Sequence, residues 1–269
     1  MKFQRKRLIS QVLLFFTANL GALGIKTGFC YPFFYCHACP AADAACPLRA
    51  LEQSVYKQSF TWRFFVYPLL IIGFIGTLTG RAVCAWACPI GLLQRGTGRV
   101  ARKIKKHPIS QKIGHHKLEH YFRYTKYVLL ISTIFITSWF IGFYFTDVCP
   151  VGFLTGTIPV LILNPGMFIP NYFFPIALVI FVLFLTLIFL VERGWCRYFC
   201  PVGALLAPFN KISYLSIKVN TTECAQCNLC NDSCPMGINI PTMHRDPECI
   251  LCGKCVIACP KKLITYSKV

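Results

Sequence analysis

The sequence predicts a membrane protein of all-α class, a four-helix transmembrane bundle over residues 1–215, followed by a small α+β domain over 216–269. Three observations predict it. Of 269 residues, 55% are hydrophobic and only 14% are charged, against about 45–50% apolar and about 25% charged in an ordinary soluble domain. Basic residues gather in alternate segments between the apolar stretches. Sixteen of the seventeen cysteines fall into groups of four.

Crossing a bilayer core takes about 20 mostly apolar residues. Four stretches are expected to do so: 8–28, 62–80, 127–146 and 172–191. Gln11 and Asn19 interrupt the first, and the last two carry no charge. No small-residue cleavage site follows the first stretch, so it is expected to be retained as a helix and not removed as a signal peptide. Net charge is +19, unevenly placed: four Lys/Arg precede Leu8, eleven lie between Arg81 and Lys126, and nine follow Val191. The segments 30–61 and 147–171 hold two and none. Positive loops stay in the cytoplasm, so both termini are expected there, in a multi-pass protein of the inner (cytoplasmic) membrane. Membrane lipid accounts for the basic loop, with anionic headgroups beside it, and no nucleic acid is expected. Trp62, Tyr67, Tyr121, Tyr124, Tyr127 and Tyr172 mark the helix ends as an interfacial aromatic belt would.

The C-terminal segment reads Cys224-x2-Cys227-x2-Cys230-x3-Cys234-Pro235 and then Cys249-x2-Cys252-x2-Cys255-x3-Cys259-Pro260. Two such runs are the bacterial two-cluster ferredoxin pattern, in which each fourth cysteine serves the other cluster. The expected ligand sets for two [4Fe–4S] clusters are therefore Cys224, Cys227, Cys230 and Cys259, and Cys249, Cys252, Cys255 and Cys234. A segment this short has little core of its own and is expected to fold around its metal. The insertion 241–247 is expected to be a surface loop.

A second motif occurs twice. Cys84-Ala-Trp-Ala-Cys88-Pro89-Ile-Gly ends the second apolar stretch, and Cys196-Arg-Tyr-Phe-Cys200-Pro201-Val-Gly follows the fourth. Cysteines four apart share one helix face, and the proline frees backbone amides that can point at the sulfurs. Cys84, Cys88, Cys196 and Cys200 are thus expected to hold a third [4Fe–4S] cluster at the inner membrane face, with a single metal or thiol chemistry as alternatives. On the other side lie Cys36-His-Ala-Cys39, Cys46 and Cys149. These four are expected to hold a fourth, outer cluster; disulfides are the rival reading, and so is another metal using His37. Cys30 is left over.

With these residues laid out, the chain resembles the membrane-anchored polyferredoxin family typified by NapH, the quinol dehydrogenase membrane subunit of periplasmic nitrate reductase. The iron–sulfur halves of NosR and of FixG-type proteins look similar. The resemblance covers roughly 81–269 and rests on the two C-x3-C-P motifs, on Gly194-Trp195-Cys196 leading to Cys200-Pro-Val-Gly-Ala, and on the ferredoxin tail. It implies Cys84, Cys88, Cys196, Cys200 and the eight tail cysteines as ligands. The outer cysteine set departs from the nitrate-reductase member.

The function expected is an integral-membrane electron-transfer subunit that links ferredoxin clusters on the cytoplasmic side to an acceptor or donor in the membrane or at its outer face. Its partners would be other redox subunits: a periplasmic or extracellular cytochrome or iron–sulfur protein, and a cytoplasmic ferredoxin or oxidoreductase. Two alternatives stand beside it. One is a quinol dehydrogenase subunit of a periplasmic reductase system, with quinone as a further ligand near His115, His116 and His120. The other is a cofactor assembly or maturation factor. Acidic residues are too few and scattered for a general acid–base pair, and no phosphate-binding loop, dinucleotide fingerprint or Ser/His/Asp arrangement is present. The chemistry belongs to the cofactors.

Overall fold

The computed structural model describes residues 2–19, 47–58, 65–104, 117–142, 144–163, 173–243 and 245–268. These residues form helices and one two-stranded sheet. The helix Lys2–Asn19 lies along Pro89–Ile104, which also packs against Phe174–Leu190. Pro47–Tyr56 packs against the stretch Ser132–Ile141.

Among the described residues the expected spans give helices that are short or change geometry part-way. Within 62–80 the α-helix is Tyr67–Thr79, 13 residues or about 20 Å at 1.5 Å per residue. Gly80, at φ 56°, turns the chain away in a conformation that glycine tolerates. Within 127–146 the α-helix Thr125–Ile131 widens into a π-helix over Ser132–Ile141, which stops at left-handed Gly142. The fourth stretch gives Phe174–Leu190, 17 residues or about 25 Å, against a hydrocarbon core of about 30 Å. The helix Lys2–Asn19 carries four basic residues in its first six, and it buries Arg7 and Gln11. Residues 20–28 lie outside the described part. No helix among the described residues is long and apolar enough to cross a membrane. The four-helix transmembrane bundle, and the multi-pass inner-membrane placement with cytoplasmic termini drawn from it, therefore do not stand. Apolar side chains face outward on several helices, among them Phe74, Phe140, Val179 and Leu183.

The sheet pairs β1 (Leu215–Val219) with β2 (Ile264–Lys268), antiparallel, with Leu215 opposite Lys268 and Val219 opposite Ile264. It closes the cysteine-rich segment 224–259 into a loop whose two ends are tied together. Ile217 and Ile264 turn inward to meet Met236, Ile238, Ile240 and Ile250. That apolar cluster continues without a break into Ile72, Ala82, Ala85 and Leu206 of the helical part. The tail thus shares a core with the helices beside it. The described residues of the insertion 241–247 form turns, mostly half-buried with Thr242 exposed, and are tied to the helical part. Met243 is buried, Asn210 Nδ2 donates to the carbonyls of Asp246 and Pro247, and Arg245 donates to the Lys211 carbonyl.

Candidate metal centres

The two C-x3-C-P motifs fold alike. In each, the short helix holding the first cysteine, Ala82–Trp86 or Gly194–Tyr198, ends before the second. The N–H of Cys88 reaches back five residues to the Val83 carbonyl at 3.0 Å, and that of Cys200 to the Trp195 carbonyl at 2.9 Å. The second cysteine then caps the next helix, which opens on Pro89 or Pro201. Proline suits the first helical position because no N–H is needed there. The Gly203 N–H points at Cys200 Sγ, 3.4 Å away, and the Gly91 N–H serves Cys88 in the same way. Sharing one helix face, as the spacing suggested, is therefore not how the pairs are made. Each straddles a break between two helices.

An arginine stands three residues before the first cysteine of each motif, and the two are exchanged. Arg193 Nη1 donates to the Cys84 carbonyl at 2.9 Å, while Arg81 Nη2 donates to the Cys196 carbonyl at 3.1 Å. Arg81 is fully buried. Its Nη1 donates to Glu248 Oε2 at 2.9 Å and to the Pro247 carbonyl at 3.1 Å, and Glu248 also pairs with Lys126. Burial is the largest influence and works against the Arg81 cation, but Glu248, Cys84 and Cys196 together outweigh it and raise the pKa. Gly91 and Gly203 allow the close approach: a Cβ on Gly91 would lie 2.5 Å from the Cys84 carbonyl oxygen. Gln94 adds a side-chain donor, its Nε2 lying 3.1 Å from Cys196 Sγ.

Cys84, Cys88 and Cys196 are buried and Cys200 is half-buried. Burial pushes the Cys84, Cys88 and Cys200 thiols up, and the neighbouring cysteines push them further. The four sulfurs are thus within electrostatic reach of one another, gathered from motifs more than a hundred residues apart. A thiolate set in such a place needs positive charge or metal to be stable.

In the tail, one cavity of about 100 Å³ is lined by Cys224, Cys227, Cys230 and Cys259. A smaller recess of about 20 Å³ is lined by Cys234, Cys249, Cys252 and Cys255. The fourth cysteine of each run sits with the first three of the other. Both loops wrap by the same device: Gln226 and Asn228, and likewise Leu251 and Gly253, have φ between 49° and 68°, which turns successive backbone N–H groups inward. Backbone N–H groups of Met236, Gly237 and Ile238 point at the Cys234 sulfur. Burial holds the Cys255 thiol up at about 12 and raises Cys249 as well. Cys227 is exposed. Among the described residues no three His, Cys, Asp or Glu side chains could hold a single metal ion. All-thiol sets spread around a cavity, with N–H groups aimed at sulfur, fit an iron–sulfur cluster. Cys84, Cys88, Cys196 and Cys200, and the two tail sets, would hold such groups.

The buried site and the second tail site adjoin. Trp86, between Cys84 and Cys88, donates Nε1–H to the Leu251 carbonyl at 3.2 Å. Arg7, 1% exposed, donates to the Cys252 carbonyl at 2.7 Å. Arg123 donates to the Met236 and Gly237 carbonyls and shares Glu119 with Arg197. Sequence reasoning missed the roles of Arg7, Arg123 and Arg197, because it read the basic residues as a terminal stub, a lipid-facing loop and a tail. For Arg81 and Arg193, their matching places in the two repeats were the available signal.

Of the outer set, Cys36, Cys39 and Cys46 lie outside the described residues, as do Cys30 and His37. Cys149 is half-buried, packed against the apolar cluster that contains Cys88 and Trp195. His115 and His116 also lie outside, and the His120 side chain is not described. Cys84, Cys88, Cys196, Cys200 and the eight tail cysteines form no disulfide.

The family described as a 4Fe-4S binding domain matches residues 60–107 and 173–220, and each match spans one of the two motifs. An uncharacterized protein of Methanocaldococcus jannaschii is 32% identical over 269 residues, covering 99% of this chain and 96% of the relative. The ferredoxin-type protein NapH of Escherichia coli is 27% identical over 215 residues, 74% of this chain and 66% of NapH. The regulatory protein NosR of Stutzerimonas stutzeri is 27% identical over 207 residues, 74% of this chain and 27% of NosR. No solved structure matches the chain.

Proposed function

Because the chain belongs to the NapH/NosR-like family of 4Fe-4S polyferredoxins, we propose that it carries electrons between redox partners through three thiolate-held sites. It is an iron–sulfur electron-transport protein of the ferredoxin type. The proposed order runs from the set that includes exposed Cys227 (Cys224, Cys227, Cys230, Cys259) through the second tail set (Cys234, Cys249, Cys252, Cys255) to the buried set (Cys84, Cys88, Cys196, Cys200). Clusters, when bound, supply one-electron chemistry at potentials tuned by hydrogen bonds, charge and solvent exposure.

The chain's own residues supply the rest. Arg81 and Arg193 hold the backbone of the buried site and place positive charge beside its sulfurs. Ile90, Phe184 and Trp195, packed beside Cys88, keep water from it. Exposed Cys227 gives one end of the line access to a partner. The carrying observation is the crossed lining of the two tail cavities, with Cys259 among the first run's cysteines and Cys234 among the second's.

Iron and acid-labile sulfide counts on anaerobically purified full-length protein test the reading. About twelve irons per chain agrees with it, about sixteen adds a site at Cys36, Cys39, Cys46 and Cys149, and about eight removes the buried site.

A further inference from the structure

We infer that Gln94 sets the reduction potential of the buried four-cysteine site by donating its side-chain N–H to the Cys196 sulfur. The inference rests on the proposed reading that Cys196 holds a cluster. Gln94 lies in the second turn of Pro89–Ile104 and is 0% exposed. Its Nε2 is 3.1 Å from Cys196 Sγ and 3.4 Å from the Ile90 carbonyl oxygen. Chemistry fixes which way the amide faces: turned over, its oxygen would meet two acceptors and its donors would have none.

The two repeats differ at this place. Gln94 stands six residues after Cys88, and the residue six after Cys200 is Leu206, equally buried. Glycine N–H groups serve Cys88 and Cys200 alike, and the arginines serve the two first-cysteine carbonyls alike. Gln94 is where the pseudo-symmetry breaks. Reduction adds a negative charge, which an N–H aimed at sulfur stabilises, and more strongly where the dielectric is low. Gln94 is also neutral, so it can be replaced without altering the charge that Arg81 and Arg193 provide.

Gln94→Leu gives the first repeat the residue of the second. In a redox titration of the full-length protein followed by electron paramagnetic resonance, the expected result is unchanged iron content with one centre harder to reduce. The expected size is about tenfold in its reduction equilibrium, or about 59 mV for one electron. Gln94→Met keeps the length of the side chain with neither a charge nor an N–H donor, and should shift the same centre in the same direction. Full iron with every potential unmoved, or with all of them moving together, would overturn the inference. Should Gln94→Leu lose iron, Gln94→Met decides. Iron retained with the potential lowered supports the inference; iron retained with the potential unmoved, or iron lost again, overturns it. Cys196→Ser separates this result from the reading beneath it. If that variant keeps wild-type iron and spectra, Cys196 holds no cluster and the underlying reading fails. If it loses a centre while Gln94→Leu leaves the potentials alone, only the role of Gln94 fails.

Discussion

The Trp86 indole donates its N–H to the Leu251 carbonyl at 3.2 Å. This one bond joins the first C-x3-C-P motif to the loop that carries Cys249, Cys252 and Cys255. Leu251 has φ 49°, a left-handed conformation that a residue with a branched side chain adopts only when its surroundings hold it there. The Tyr266 hydroxyl, from β2, donates to the same carbonyl at 2.9 Å. Helix and strand therefore fix the turn from opposite sides.

Trp86→Phe keeps a ring against Phe3 but removes the donor, and should cost about 1–2 kcal/mol. Trp86→Ala also leaves a cavity and should cost about 3–5 kcal/mol. Denaturant titration followed by visible absorbance checks both. A phenylalanine variant as stable as wild type would show that the hydrogen bond does not support the turn.

Glu248→Gln leaves the buried Arg81 and Lys126 cations without their shared carboxylate. Removing one partner from a buried pair costs about 3–5 kcal/mol, so this variant should be among the least stable single substitutions. Glu119→Gln should behave likewise, through Arg197 and Arg123. Unfolding midpoints within experimental error of wild type would contradict both expectations.

Gly91→Ala should be worse tolerated than Gly203→Ala. The new Cβ at residue 91 would meet a backbone oxygen at 2.5 Å, whereas at residue 203 the nearest atom is Arg81 Nη2 at 3.0 Å. A carbonyl in a packed turn cannot retreat as readily as the end of a side chain. Iron content of the two purified variants, compared side by side, gives the order.

Cys259→Ser should disturb the centre formed with Cys224, Cys227 and Cys230, and Cys234→Ser the centre formed with Cys249, Cys252 and Cys255. Each substitution thus acts on the run that lies farther from it in sequence. Paramagnetic spectra of single variants, matched against Cys224→Ser and Cys249→Ser, distinguish crossed from local ligation.

Once iron is removed, thiolate content decides alkylation rate. Burial holds Cys255 near 12 and Cys249 also above the ordinary thiol range, so at mildly alkaline pH both stay protonated and react slowly. Exposed Cys227 should be labelled first, and raising the pH should accelerate the slow pair. Peptide mass spectrometry after timed iodoacetamide pulses reads the order; uniform labelling would mean that the stripped protein has unfolded.

What the sequence disclosed was the chemistry carried by spacing. The cysteine runs named two four-residue sets in the tail, and the repeat named a third. Helix continuity was not legible in the same way, because hydropathy counts apolar residues and is blind to where hydrogen bonding changes register. The stretch 127–146 is uncharged throughout, yet it passes from α to π geometry at Ser132 and stops at Gly142. Nor was the burial of Arg7, Arg81 and Arg197 legible. A cation reads as a solvated face unless its acceptors are known, and here several of them are carbonyls or carboxylates far along the chain, at Cys252, Cys196 and Glu119.

The arginine exchange has the form of a two-fold contact, in which one half gives the other what it receives from it. Each half of the repeat thus completes the backbone of the other. Joined in one polypeptide, the halves do not lose the freedom of independent bodies on pairing. They are also not bound to be identical.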